Sequence, residues 1–277
     1  MADQASAPYL VDGAWLRAHQ NDRDVVLIDT RPPADYWKGH LEGARHFDPF
    51  PFHHSDTSEA GLRNFNDQLV WIFSTLGLTG NETVVFYEEN SGMRATRAAW
   101  ALEYIGHPQV RILDSGLKLV DAKLTTAAPA FVTANFPGKP RADAIAPYTY
   151  IVERLGNPGT QIFDVRTAEE YFGERVRAKH GGAVPGAIHR EWVQNLDERG
   201  AFKSAAQLRQ EFEGLGLDPA REVVPYCQGG YRSANAYIAL RIAGYTNVRN
   251  YLGSWGEWGN HDDLPIERPR RRTPRRD

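Results

Sequence analysis

Short apolar runs alternate with longer helical segments along most of the chain. In the second half, residues 161–165, 222–226 and 248–252 are predicted as strands, and residues 233–243 as a helix between the last two. The strand segments carry apolar residues on both faces and are separated by helices. This pattern predicts a parallel sheet that is covered on both sides.

Two local signals refine the pattern. Ser204 and Gln207 have the spacing of a capping box and predict the start of a helix that ends at Gly214 or Gly216. Pro225 lacks the N–H that an inner strand donates, so it fits poorly within a strand. We keep that strand because the matching segment of the first half contains no proline.

The two halves of the chain repeat the same pattern. LIDTR at residues 27–31, followed by Tyr36, matches IFDVR at residues 162–166, followed by Tyr171. Further matching pairs are LGL at 76–78 with LGL at 215–217, and VVFY at 84–87 with VVPY at 223–226. The offset of roughly 135 to 140 residues far exceeds that of solenoid repeats and indicates duplication of a whole domain.

The repeat predicts two domains of the α/β class, each a parallel sheet with helices on both faces. We place the first domain at residues 8–130 and the second at residues 147–266. Residues 131–146 form a linker rich in Ala and Pro. Residues 267–277 contain six arginines and are predicted to be a disordered basic tail, with binding to an acidic partner or RNA as the alternative.

The composition narrows the functional classes. The chain has 277 residues, 42% of them hydrophobic, and a net charge of −3, which gives no bias towards nucleic acid or membrane. No run approaches the roughly 20 apolar residues that span a bilayer, and the first residues do not resemble a signal peptide. The single cysteine, Cys227, cannot form an intrachain disulfide, so we expect a cytoplasmic protein.

Cys227 begins a loop between a predicted strand and the following helix, where α/β proteins place their ligands. The loop continues as Gln228, Gly229, Gly230, Tyr231 and Arg232. The two glycines let backbone N–H groups curl around the sulfur, and the positive helix end lowers the pKa of the thiol. Arg232 adds a cation whose planar fork suits an oxyanion. The loop therefore predicts a stabilised anionic sulfur on Cys227.

Several motifs, in this order and at this spacing, resemble rhodanese domains. They are DVR at 164–166, EY at 170–171, GAVPGA at 182–187, CQGGYRS at 227–233 and GSWGEW at 253–258. The resemblance covers both halves and extends to the family's tandem members, the thiosulfate and 3-mercaptopyruvate sulfurtransferases, whose first domain has lost the cysteine. Glu88 stands at the cysteine position of the first half, which we therefore expect to be non-catalytic.

The resemblance implies a sulfurtransferase that uses no cofactor and no metal. A small-molecule donor would leave its sulfur on Cys227 as a persulfide, and cyanide or a protein thiol would accept it. Cys227 and Arg232 are the expected catalytic residues. The expected substrate-binding residues are Gln228, Gly229, Gly230, Tyr231, Ser233 and Trp192. Family analogy also implies a monomer.

Two other functions remain as alternatives. The family's cysteine phosphatases resemble C-x5-R, whereas Cys227 and Arg232 form C-x4-R, and this shorter cradle suits a sulfur atom better than a phosphate. Some rhodanese-like domains resemble inactive binding modules. The retained cysteine, both glycines and Arg232 favour an enzyme instead.

The charged residues of the site distinguish between two possible sulfur donors, thiosulfate and 3-mercaptopyruvate. Members that prefer 3-mercaptopyruvate resemble C-G-S-G-V-[TS], a neutral loop, with an arginine before the residue that matches Tyr171. This chain has Arg232 in the loop and Glu170 before Tyr171. Both differences favour thiosulfate, a dianion that is bound by cationic groups, and 3-mercaptopyruvate is the alternative.

Other residues have structural interpretations. Asp164 and Arg166 are predicted to form an ion pair at a strand end, and Ser233 to cap its helix. Trp192 either forms a wall of the pocket or packs in the core. Three basic residues either reach the pocket mouth or are solvated: Arg175, Arg177 and Lys179. Four histidines lie in or near one loop without companion cysteines and do not predict zinc: His40, His46, His53 and His54.

Overall fold

Each half of the chain forms its own parallel sheet. The computed structural model describes residues 9–271. The strands of the first sheet are β1 (Leu10–Val11), β2 (Val25–Asp29), β3 (Arg45–His46), β4 (Thr83–Tyr87) and β5 (Val110–Leu113). Their order is β1-β5-β4-β2-β3, and all their pairings are parallel. The strands of the second sheet are β6 (Thr160–Asp164), β7 (Ile188–His189) and β8 (Glu222–Tyr226), in the order β7-β6-β8.

Helices cover both faces of the two sheets, as predicted. The helices of the first half are α1 (Gly13–His19), α2 (Pro33–Lys38), α3 (Glu59–Thr75) and α4 (Met93–Tyr104). Those of the second half are α5 (Tyr148–Val152), α6 (Ala168–Tyr171), α7 (Ala205–Gly214), α8 (Tyr231–Ile242) and α9 (Ser254–Trp258). The helix α7 begins at the predicted capping box, because the side chains of Ser204 and Gln207 each accept the other's backbone N–H. No helix within residues 9–271 is both long enough and apolar enough to cross a membrane.

The predicted strand at residues 248–252 is wrong, and Pro225 gives the reason. Beside β8 the segment forms only an isolated bridge, between Val223 and Val248. Val223 donates its N–H to the carbonyl of Asn247 and accepts the N–H of Arg249. The carbonyl of Pro225 accepts the N–H of Tyr251 at 3.1 Å. The next ladder donor on that side would be the N–H of Pro225, which does not exist. In the first half, Phe86 stands in this place and β5 pairs normally.

The duplication extends to side-chain contacts. In both halves an arginine forms an ion pair with the aspartate two residues earlier, Arg31 with Asp29 and Arg166 with Asp164. The Arg166 pair is the predicted structural one, and the hydroxyl of Tyr226 also donates to Asp164, at 2.5 Å. A pair buried to this extent needs such further hydrogen bonds to offset its desolvation.

The two domains share one hydrophobic core, which crosses the interface between α4 and α8. Tyr237 of α8 donates a hydrogen bond to Glu103 of α4, and Asn235 of α8 donates to the carbonyl of Ser91. A loop of each domain also contacts the other domain. The carbonyl of Pro49 accepts from Tyr231, while Gly200 accepts from the N–H of Ser91. The loop that follows β8 is therefore covered by first-domain residues.

The described start of the predicted tail packs on the second domain. Glu267 exchanges two backbone hydrogen bonds with Ala183, both of 2.9 Å. Arg271 forms an ion pair with Glu174. Residues 272–277, where the prediction of a disordered basic tail continues, lie outside the described residues.

Candidate active site

Cys227 lies at the carboxyl end of β8, and α8 begins four residues later. Gly230 caps this helix with a φ of +83°, a conformation that favours glycine. Ser233, predicted as the N-cap, is instead the third residue of α8, because the tight loop brings the helix start forward to Tyr231. The N–H of Ser233 is therefore one of the helix's free N-terminal donors.

Cys227 lines a cleft, and the groups around its sulfur favour the anionic form. The residue is 1% exposed, yet it lines an opening of about 600 Å³. Burial alone would raise the pKa of the thiol. The charge of Arg232, the N–H groups of Gly229 and Ser233, and the Ser233 hydroxyl outweigh that effect and lower the pKa. This arrangement suits a thiolate nucleophile.

Ser254, the first residue of α9, holds the loop from behind. Its hydroxyl oxygen accepts the N–H of Cys227 at 3.0 Å and that of Gly230 at 3.1 Å, and its proton goes to the carbonyl of Tyr251. Ser254 has a φ of +54°, which is uncommon outside glycine. The hydroxyl therefore satisfies two buried donors while its own backbone is held in a left-handed conformation.

Arg232 does not present a free fork to the cleft. Its two terminal nitrogens lie 2.6 and 3.0 Å from the two carboxylate oxygens of Glu170. Glu170 also completes a capping box with Thr167 at the start of α6. Burial opposes ionisation of Glu170, but Arg232 and the N–H of Thr167 lower the pKa to about 2. The expected oxyanion fork is thus already occupied by a carboxylate.

The remaining predicted binding residues divide into two groups. The cleft is lined by Gln228, Gly229 and Tyr231. Within the described residues, Trp192 does not line it. Trp192 lies in a 3-10 helix and packs against the hydrophobic core, which is its predicted alternative role. Among the basic residues near α6, Arg177 lines the cleft and Lys179 pairs with Asp262 instead.

Two cleft residues that the sequence did not indicate come from the first domain. Phe50 stacks on Tyr231 with ring centres 4.7 Å apart, and His53 lies next to Gly229. Burial and the neighbouring Arg97 lower the pKa of His53, which favours its neutral form. No local motif marks these residues. The signal available was their place in a Pro- and Phe-rich loop of the half that lacks a cysteine.

The corresponding loop of the first domain holds a carboxylate in place of the sulfur. One oxygen of Glu88 accepts the N–H groups of Arg94 and Ala95, both at 2.9 Å. Burial raises the pKa of Glu88 to about 7 against the opposing effect of these N–H groups. Backbone N–H groups therefore surround the corresponding side chain in both halves, but only the second half contains a cysteine there.

The histidines of the first half do not come together as a ligand set. His40 stacks on Tyr36, and His46 bonds the carbonyl of Arg31. His54 bonds the carbonyl of Asp56. Within residues 9–271 no group of three or more His, Cys, Asp or Glu side chains is placed to hold a metal ion.

Comparisons with known proteins agree with this architecture. A family model described as a rhodanese-like domain matches residues 12–123 and 148–261. A thiosulfate sulfurtransferase from Azotobacter vinelandii is 34% identical over 96% of this chain and 100% of its own length. Another from Pseudomonas aeruginosa is 34% identical over 94% of this chain and 97% of its own. The crystal structure of SseA from Escherichia coli, described as a 3-mercaptopyruvate sulfotransferase, is 25% identical, has a TM-score of 0.76 and covers 90% of this chain and 99% of its own.

Proposed function

The chain belongs to the rhodanese-like family, and we propose that it is a thiosulfate sulfurtransferase that carries sulfur as a persulfide on Cys227. The observation that carries the proposal is the lowered pKa of this thiol at the base of an open cleft. Relatives named as thiosulfate sulfurtransferases along nearly the whole chain support the same reaction.

The reaction has two displacements at sulfur. The Cys227 thiolate attacks the outer sulfur of thiosulfate, a new S–S bond forms, and the old S–S bond breaks to release sulfite. Cyanide or a thiolate then attacks the terminal sulfur of the persulfide, which leaves as thiocyanate or as a new persulfide and restores the thiolate. Both the starting thiolate and the persulfide are anions, so the same N–H groups stabilise each of them.

We propose thiosulfate rather than 3-mercaptopyruvate as the donor. Arg177 and Arg232 both line the cleft, and two cations favour a dianion over a monoanion. Both arginines are paired with Glu170, Arg232 at 2.6 Å and Arg177 at 3.4 Å, so the more loosely held Arg177 carries the larger share of this effect. The donors are compared by kcat/KM, and a strong preference for 3-mercaptopyruvate would overturn the assignment.

We also propose that a small thiophile or a protein thiol is the acceptor, and that the chain acts as a monomer in the cytoplasm. The buried sulfur at the base of the cleft suits a small or thin acceptor. Size-exclusion chromatography with light scattering tests the monomer, and a dimer would contradict it.

Intact mass spectrometry tests the central proposal. After incubation with thiosulfate the chain should gain about one sulfur atom, which cyanide removes. Because Cys227 is the sole cysteine, the gain reports on this residue alone, and Cys227→Ser is the matched control. Absence of a gain with either donor would leave the chain as a binding module. Hydrolysis of p-nitrophenyl phosphate that depends on Cys227 would instead favour a phosphatase.

A further inference from the structure

Arg97 is a buried arginine of the first domain for which the described structure provides no carboxylate partner. It lies on α4 and is 3% exposed. Its Nη1 atom makes no hydrogen bond to any group within residues 9–271. An isolated buried charge is strongly unfavourable, so proteins normally pair such groups. The lack of a partner therefore calls for an explanation.

Arg97 points at the Cys227 loop of the other domain. A Cβ atom built on Gly230 would lie 3.2 Å from Nη1, so the absent side chain of this glycine lets the guanidinium approach the loop backbone. The guanidinium carbon lies 5.1 Å from the ring centre of Tyr231 and 4.8 Å from that of Trp100. These aromatic faces hold the cation without neutralising it.

The ionisable groups that act on Arg97 also belong to the Cys227 loop. Burial lowers the pKa of Arg97 to about 10, and within the described chain the groups that oppose this effect are Tyr231 and Cys227. Tyr231 is neutral near pH 7, because burial raises its pKa. Of these two groups, the sulfur of Cys227 is therefore the one that can supply a compensating negative charge.

We propose that Arg97 is a positioning residue of the active site, a first-domain cation that stabilises negative charge on the sulfur of Cys227 across the domain interface. Arg232, which also lowers the pKa of the thiol, is shared with the carboxylate of Glu170. Within residues 9–271 Arg97 has no such counterion. Its effect on the thiolate follows from the structure alone, and its effect on the persulfide rests on the proposed function.

Several other groups face the same sulfur, and substitution of Arg97 leaves them unchanged. Ser233 and Arg232 face it from α8, and Ser254 faces it from α9. His53 and Arg177 line the cleft in front of it. Because these groups stay in place, a change in the titration of Cys227 on substitution of Arg97 reports on Arg97.

The test is the pH dependence of alkylation of Cys227 by iodoacetamide in the full-length chain, followed by mass spectrometry. Arg97→Met should raise the apparent pKa of the thiol by about one unit, which shifts the pH profile of alkylation upwards by the same amount and slows alkylation about tenfold on the acid side of the wild-type profile. Arg97→Lys should restore most of the rate because it keeps the charge. Arg97→Gln is a second neutral variant in case the methionine variant folds poorly.

Arg45→Met is the matched control for structural damage. Arg45 is a half-buried first-domain arginine that bonds the carbonyl of Leu76 and does not line the cleft in the described structure. A thiol pKa that stays unchanged in Arg97→Met and Arg97→Gln, or that shifts equally in Arg45→Met, would overturn the proposal. Alkylation needs no sulfur donor, so failure of the chain to form a persulfide would refute the proposed function and leave this result standing.

Discussion

The hydroxyl of Ser254 accepts the backbone N–H of Cys227 at 3.0 Å and lies 3.9 Å from the sulfur of that residue. The two residues are 27 positions apart, and α8 separates them along the chain. This contact fixes the start of the active-site loop, because the same oxygen also accepts the N–H of Gly230 near the end of the loop. Both ends of the loop thus depend on one side chain.

Replacing Ser254 by alanine should therefore damage the loop. The change leaves two buried N–H groups without an acceptor, and each such group costs about 1–3 kcal/mol. We expect the free energy of unfolding to fall by at least about 2 kcal/mol, together with a lower kcat for sulfur transfer. Denaturant unfolding and steady-state kinetics measure the two effects.

The control for Ser254→Ala is Ser115→Ala. Ser115 is the other non-glycine residue with a positive φ in the described chain, and its hydroxyl donates only to the neighbouring carbonyl of Asp114. This variant should leave kcat unchanged. If Ser254→Ala retained wild-type stability and kcat, the hydroxyl would not be the support that we describe.

Gly230→Ala should be more harmful than a left-handed backbone alone explains. A Cβ atom there would lie 2.6 Å from the carbonyl oxygen of Leu252 and close to Arg97. At Gly216 the φ is +89°, similar to the +83° of Gly230, but a Cβ atom would meet nothing within 4 Å. Gly216→Ala should cost about 1 kcal/mol in the free energy of unfolding, and Gly230→Ala at least about 1 kcal/mol more, with loss of sulfur transfer. Equal losses of stability would show that the loop relaxes around the methyl group.

The ion pair of Glu170 with Arg232 makes stability depend on pH in the acid range. The pKa of Glu170 is lowered from its ordinary 4.5 to about 2, so the stabilisation is present above pH 4.5 and is lost as the pH falls towards 2. The difference in unfolding free energy between wild type and Glu170→Gln should therefore shrink by about 3 kcal/mol between pH 6 and pH 2. Chemical denaturation across this range measures the difference. A flat result for Glu170→Gln across this range would contradict the prediction.

Arg177→Gln should raise the KM for thiosulfate several-fold. Arg177 lines the cleft, and the loss of one cation weakens attraction of a dianion more than that of the monoanion 3-mercaptopyruvate. Arg175→Gln removes the same charge two residues away, at an exposed position that does not line the cleft in the described structure, and should change KM little. Equal effects of the two substitutions would indicate general attraction of anions rather than a contact in the cleft.

The sequence predicted the fold class and pointed to Cys227 as the candidate nucleophile because both rest on local signals. Each strand–loop–helix unit occurs twice, so the repeat supported each assignment independently, and the loop from Cys227 to Arg232 is contiguous. The exception is the segment after Val248. The sequence shows that Pro225 lacks a backbone N–H, but the hydrogen bond lost in this way is one to the neighbouring segment at 248–252. A pattern of apolar residues does not indicate towards which neighbouring strand a given N–H points.

The surroundings of the nucleophile could not be predicted in the same way, because they come from distant parts of the chain. Glu170 and Arg232 are 62 residues apart, and only the packing of α6 beside α8 brings them together. His53 and Arg97 belong to the other domain altogether. Both lie against the Cys227 loop across the domain interface, and residue spacing does not record such a contact.

The reciprocal exchange of loops between the halves has an evolutionary consequence. After duplication, the copy without a sulfur nucleophile supplied the aromatic cover and the nearby guanidinium of its sister's catalytic loop. The surroundings of Cys227 are therefore encoded in both halves of the gene. A truncation that kept only the second half would expose the ring of Tyr231 and remove part of the shared core.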